Sequence, residues 1–186
     1  MPRECDDHRV SQPESPAAAL RARQRPLKDR YQQDPASALT PSTATARVDQ
    51  AALTATVATS AGDVVAGLHP ATGGDGTQAC SGDILLQALV ACAGVTLSSV
   101  ATAMGIELRL ATVTANGTWD ARGTLGVDRD APVGLTGVDL VFDLDTDAAP
   151  DKVDRLLELT ERYCVVARTL AEPPALTVRR STPAAP

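Results

Sequence analysis

Aromatic side chains are nearly absent: one Phe, one Trp and two Tyr, at Phe142, Trp119, Tyr31 and Tyr163, are all that 186 residues hold. So few rings give bases little to stack on. A formal charge of −6 and a pI near 4.8 leave no net basic field to gather phosphates, so nucleic acid is not an expected partner. Imidazoles are scarce too, limited to His8 and His69. The four cysteines, Cys5, Cys80, Cys92 and Cys164, form no CxxC pair and have no His at ligand spacing, which argues against a zinc site and against a disulfide framework. The Gly-rich run HPATGGDGTQACSGD lacks the Gly-Lys-Ser/Thr ending of a phosphate loop. MPRECDDHRVSQPESP is polar throughout and has none of the order of a signal peptide, so the expected setting is cytoplasmic and reducing.

What is present suits one domain with tails. Residues 1–26, rich in Pro, Gln, Ser and Arg, bury too little apolar surface to offset ordering and are expected to be disordered. The domain is expected over 27–182, with a short tail at 183–186. A short helix is predicted over 27–33, ending before Pro35. Between 44 and 68, Leu53, Ala55 and Val57 alternate with Thr54 and Thr56, and Ser60-Ala61-Gly62-Asp63 supplies a turn, so antiparallel strands are predicted. Strands are predicted again at 107–118 and 135–144. In the latter, Val138, Leu140, Phe142 and Leu144 share one face while Asp139, Asp143 and Asp145 lie on the other. A last helix is predicted from Pro150, with Val153, Leu156, Leu157, Thr160, Tyr163, Cys164 and Ala167 on one stripe and Asp151/Arg155 and Glu158/Arg162 as outer pairs. ALTVRR reads as an edge strand. The resulting order, β-β-β-α-β-β-α-β, is that of an α+β fold.

Residues 84–106, ILLQALVACAGVTLSSVATAMGI, carry no charged side chain and no His. A helix is predicted here with Ser81 as N-cap and Asp83 complementing the first turn. Its Gln87, Thr96, Ser98, Ser99, Thr102 and many Ala favour a buried central helix over a membrane span. Cys92 is at its middle, and Cys164 faces inward from the last helix, so two thiols are brought toward the interior. On chemistry alone a small Cys in an Ala-rich helix is a packing residue. Burial raises a thiol pKa, so a reactive Cys92 calls for a nearby cation; the dipole of its own helix is about three turns away, so an arginine must come from elsewhere in the fold or from a partner subunit.

The run CSGDILLQALVACAGVTLSSVA, followed about seventy residues later by ERYCVVARTL, resembles the OsmC/Ohr family of organic-hydroperoxide-reducing proteins. The resemblance implies an OsmC-like fold in which antiparallel sheets wrap two central helices of an intertwined homodimer, with sites at the subunit interface. It implies that Cys92 is the peroxidatic and Cys164 the resolving cysteine. It further implies an organic hydroperoxide substrate, a dithiol reductant such as a dihydrolipoyl group, and no metal, flavin or nucleotide cofactor. Ohr-type members carry Pro-Glu ten residues before the cysteine to orient an activating arginine; here that position is Gly82, with Asp83 beside it. Asp83 either takes over that role or only caps the helix. Arg47 and Arg168 are the candidates for the arginine, each with a surface charge as the plain alternative. The competing reading is a non-catalytic OsmC-like dimeric module that binds a small apolar ligand or senses redox state through its thiols.

Overall fold

The computed structural model of the chain describes residues 15–181. It begins with a helix, α1 (Pro16–Gln33), capped by the Ser15 side chain, which accepts a hydrogen bond from the Ala18 N–H at 3.2 Å. Arg21, Arg23, Arg25, Lys28 and Arg30 against Asp29 give α1 a net charge of +4, and none of its residues is buried. Strands β1 (Ala46–Asp49), β2 (Thr54–Thr59) and β3 (Gly62–Gly67) form an antiparallel meander, and β4 (Ala79–Cys80) joins it in parallel to β3. After α2 (Ser81–Met104) come β5 (Leu110–Trp119), the short α3 (Ala121–Thr124) and β6 (Leu135–Asp145). Strands β5 and β6 pair antiparallel as a separate two-stranded sheet. Helices α4 (Pro150–Tyr163) and α5 (Val165–Ala171) complete the order.

Helix α2 is the hub, packing against α4, α5 and β5. It ends at Gly105, whose φ of 68° is the left-handed conformation that favours glycine; the Gly105 N–H reaches the Thr102 carbonyl at 3.2 Å and the Ile106 N–H the Ala101 carbonyl at 2.9 Å. One α2 face buries Leu89, Ala93, Leu97 and Ala101. Leu97 and Ala101 meet Leu156 of α4, and Val100, Met104, Val113, Phe142, Leu144 and Leu157 close around them. Burying a leucine this fully stabilises by roughly 1.5–3 kcal/mol. The sheet supports α2 closely at Gly117, where a Cβ would lie 3.0 Å from Leu135 Cδ2 and 3.3 Å from Leu86. On β6 the expected alternation is present, with Leu140, Phe142 and Leu144 half-buried between exposed Val141, Asp143 and Asp145.

Several sequence-based expectations are corrected. The disordered stretch expected to residue 26 gives way to helix from Pro16, because Ser15 and the following proline start a helix that the Ala- and Arg-rich composition can propagate. Residues 1–14, with Cys5 and His8, and the expected tail at 183–186 lie outside the described residues. No strand forms in ALTVRR. The N-cap of α2 is Cys80, without a side-chain bond, and Ser81 is the first helical residue. On α4, Arg155 pairs with Glu158 one turn on, at 2.8 Å, instead of with Asp151. Arg162 lies over the Tyr163 ring, its guanidinium carbon 5.6 Å from the centroid.

Leu156, 0% exposed at the α2–α4 contact, gives a direct check on this core. Leu156→Ala is expected to destabilise the protein by about 2–5 kcal/mol in denaturant titrations at fixed protein concentration, whereas Val178→Ala, at an 87% exposed position, should stay within about 0.5 kcal/mol.

Candidate active site

The expected last helix is two helices. Cys164 has φ −75° and ψ 107°, so it ends α4 and starts α5 from an extended conformation. Its N–H still reaches the Thr160 carbonyl at 3.0 Å, its carbonyl accepts from the Arg168 N–H at 2.9 Å, and its Sγ accepts from the Ala167 N–H at 3.5 Å. The sulfur thus serves as N-cap of α5, and the β-branched Val165-Val166 pair that follows is only a moderate helix former. The junction is fully buried at Cys164, and α2 packs against helices on both of its sides, which delivers Cys164 to the middle of α2 where Cys92 stands.

The two thiols are free and influence each other's ionisation, and their surroundings push them apart in acidity. For Cys92, burial pushes the thiol up, but the Val166 N–H, the Cys164 thiol, the Val165 N–H and the Thr96 hydroxyl together outweigh it, so its pKa falls below the ordinary thiol value. For Cys164, burial again pushes up; the Ala167 and Val166 N–H groups oppose this, but the bond to Cys92 and the charge on it reinforce the rise. One negative charge is therefore preferred on Cys92, with the proton held on Cys164.

Among the described residues of this one chain, no arginine or lysine is among the groups that lower Cys92. Main-chain N–H donors at the helix junction take that part. Arg168 has its backbone N–H at the junction, but its guanidinium pairs with Glu172. Arg47 is exposed on β1, opposite Thr56 of β2. Asp83 is exposed in the first turn of α2, nine residues before Cys92, or about 14 Å along the helix axis, and makes no ion pair among the described residues. Of the five residues singled out from sequence, the fold brings together Cys92 and Cys164. Thr96 and the two valine amides were missed: Thr96 was legible by its spacing of four from Cys92, whereas the amides depend on a helix break that has no Pro or Gly to announce it.

An open groove of about 920 Å³ is lined by Leu89, Leu140, Phe142, Leu157, Ala167 and Leu170 together with Asp154, Glu158 and Glu161; neither cysteine lines it. Leu89 lies one turn before Cys92, and Ala167 is the residue whose N–H reaches Cys164. Among the described residues no three His, Cys, Asp or Glu side chains gather at metal-binding distance.

A central helix without charge after Asp83, a two-stranded antiparallel sheet packed on it and a cysteine at a helix break across from it define an α+β fold with two interior thiols. The chain belongs to the OsmC-like protein family, whose model matches residues 74–179. Solved structures share its fold. An OsmC-like protein from Mycoplasma pneumoniae is 16% identical, with a TM-score of 0.61, covering 72% of this chain and 89% of its own. An organic hydroperoxide resistance protein from Elizabethkingia anophelis is 17% identical, with a TM-score of 0.57 and coverages of 72% and 91%. A further organic hydroperoxide resistance protein, from Legionella pneumophila, is 16% identical, with a TM-score of 0.56 and coverages of 72% and 93%. No curated protein sequence matches the chain.

The amide contribution can be isolated at Val165. As the first residue of α5 it accepts proline readily, and the extended Cys164 before it suits a pre-proline position, so Val165→Pro removes one N–H with little disturbance. In a Cys5→Ser/Cys80→Ser background, the pH at which Cys92 alkylation by iodoacetamide is half-maximal should rise by up to about one unit, with rates converging above the thiol pKa.

Proposed function

We propose that the protein is a thiol peroxidase that reduces organic hydroperoxides, with Cys92 as the attacking thiolate and Cys164 as the resolving thiol. It works in a reducing, cytoplasmic setting as a homodimer and is recharged by a dithiol reductant such as a dihydrolipoyl group. The observation that carries this reading is the contact between two thiols of opposite acidity, one lowered and one raised. Two relatives of the same fold are described as organic hydroperoxide resistance proteins.

The chemistry follows from that asymmetry. A Cys92 thiolate donates its electron pair to the distal oxygen of ROOH; an S–O bond forms, the O–O bond breaks, and the departing alkoxide takes a proton to leave as ROH. Sulfur is oxidised by two electrons to a sulfenic acid, and the hydroperoxide is reduced. The charge that had held the proton on Cys164 is then gone, so Cys164 deprotonates more easily at the moment it is needed. Its sulfur attacks Cys92 Sγ, water leaves, and a disulfide forms. A dithiol returns the two electrons and the protons. The apolar groove suits an alkyl or aryl substituent on the hydroperoxide better than it suits hydrogen peroxide.

The dimer is supported by surface area. The chain exposes 14,769 Å², against about 8,400 Å² for a monomeric globular chain of its mass. Residues outside 15–181 account for at most about 3,000 Å² even fully extended, which leaves a surplus on the order of 3,000 Å². Val95, in the stretch of α2 without charge, is 74% exposed, with Ala88, Ala91 and Ser98 exposed beside it. Two strands alone make a marginal sheet, and β5–β6 has both edges open to further strands.

The second reading, a non-catalytic dimeric module holding a small apolar ligand or sensing redox state, is favoured by the size of the groove. Turnover separates the two. With cumene hydroperoxide and dihydrolipoamide or dithiothreitol, Cys92→Ser should abolish consumption, and Cys164→Ser should allow one equivalent and then stall. Turnover should climb with pH and reach its plateau below the ordinary thiol range, because a lowered pKa completes ionisation early. Unmodified protein that consumes no hydroperoxide would favour the binding module.

Sedimentation should give twice the 19.2 kDa chain mass. Val95→Glu should shift that equilibrium toward monomer by at least tenfold in Kd, since it buries a charge in an apolar contact.

A further inference from the structure

Helix α1 packs on α2 of its own chain, yet none of its residues is buried there. Its exposed Arg21, Arg25 and Lys28 are four and then three residues apart, so they form one stripe about 10 Å long. With Ala22, Asp29 and Gln32 they line a shallow furrow of about 520 Å³. The groove of about 920 Å³ bounded by β6, α4 and α5 carries the opposite sign: Asp154, Glu158 and Glu161 of α4 are exposed along it, and no basic residue is in its lining. These three acids are also four and then three residues apart. Laid side by side in the same direction, the two helices match charge for charge, Arg21 at Asp154, Arg25 at Glu158 and Lys28 at Glu161.

We propose that α1 of a second copy of this chain docks along the α4 wall of this groove. Complementarity selects the occupant, because the groove needs a basic ridge of this spacing and the chain itself carries one. A single exposed ion pair contributes little, since water screens it and two long side chains must be ordered. Three in register act together, and the aliphatic stems of Arg21, Arg25 and Lys28 cover apolar lining while their charged ends reach the carboxylates. Glu158 already accepts from Arg155 of its own helix at 2.8 Å, and a carboxylate has lone pairs for a second donor. Helix α1 precedes residues 74–179, so this contact is additional to those of the domain shared with the family. In a two-fold dimer it is made twice.

Lys28 and Lys152 are the two lysines of the chain, which makes carbodiimide coupling of lysine to carboxylate easy to read. In a mixture of unlabelled and isotope-labelled full-length protein, mass spectrometry should find Lys28 joined to Asp154, Glu158 or Glu161 in peptides of mixed label. Lys28 coupled only within one chain, or never to α4, overturns the docking. The second measurement is a charge swap read by sedimentation at low ionic strength, with circular dichroism as the check on folding. Arg21→Glu/Arg25→Glu/Lys28→Glu and Asp154→Lys/Glu158→Lys/Glu161→Lys should each weaken self-association by about tenfold or more. Mixed with each other, the two variants should associate to within about threefold of the parent, because each then meets the opposite sign on its partner. Either variant associating as tightly as the parent, or a mixture that restores nothing, overturns the proposal. So does an α1 variant whose association is unchanged while it loses binding to phosphatidylglycerol vesicles that the parent shows, which makes an anionic lipid surface the partner of α1. Both variants leave Val95 in place, so loss of the α1 contact and loss of the α2 contact are read separately.

Discussion

The contact between Cys92 and Cys164 is the constraint around which the rest of the molecule is arranged, and it exists because a helix is interrupted at one residue. Had α4 run on through Cys164, the thiol would sit on a helical stripe with its backbone N–H and those after it consumed by the ladder. The break frees the first amides of α5 and aims them at the middle of α2. Cys164 then has two duties. Its sulfur caps the helix whose opening amides favour the ionised form of its neighbour, and a charge on that neighbour disfavours its own ionisation. Backbone geometry thus contributes to the opposite shifts of the pair.

Much of this was legible beforehand. The meander between 44 and 68, the uncharged helix and the alternation in β6 follow from periods of two and of roughly 3.6 in apolar residues, and the fold respects each of them. Cys92 and Cys164 were identifiable because each was placed among apolar neighbours in its own element. Other features were hidden for physical reasons. The interruption at Cys164 has no proline or glycine, only a cysteine acting as a cap and two valines after it, and the apolar spacing continues unbroken from Leu156 to Ala167. Only residues 27–33 of helix α1 were anticipated, because the low apolar content before them was read as disorder, although arginine and alanine are good helix formers.

Helix α2 also explains why so few side chains are fully enclosed. An element without charge from Ile84 to Met104 has two apolar faces, and one chain provides packing for only one of them. Leu89, Leu97 and Ala101 look toward α4 and β5; Val95 looks outward. By length and composition such a helix is also apolar enough to cross a membrane, yet in this fold it is held on one side by α4, α5 and β5. A hub of this kind makes the dithiol contact and the exposed surface two aspects of one helix, since Cys92 lies between Ala91 and Ala93, which belong to opposite faces.

The +4 carried by α1 belongs to a chain whose total is −6, so everything beyond that helix sums to a far more acidic body than the isoelectric point suggests. Electrically the protein is lopsided, with a positive rod attached to a negative mass. At low ionic strength such an object turns in the field of any charged neighbour and meets it in a preferred attitude. Near 0.15 M salt, where screening acts within about 8 Å, that orienting torque is confined to close encounters.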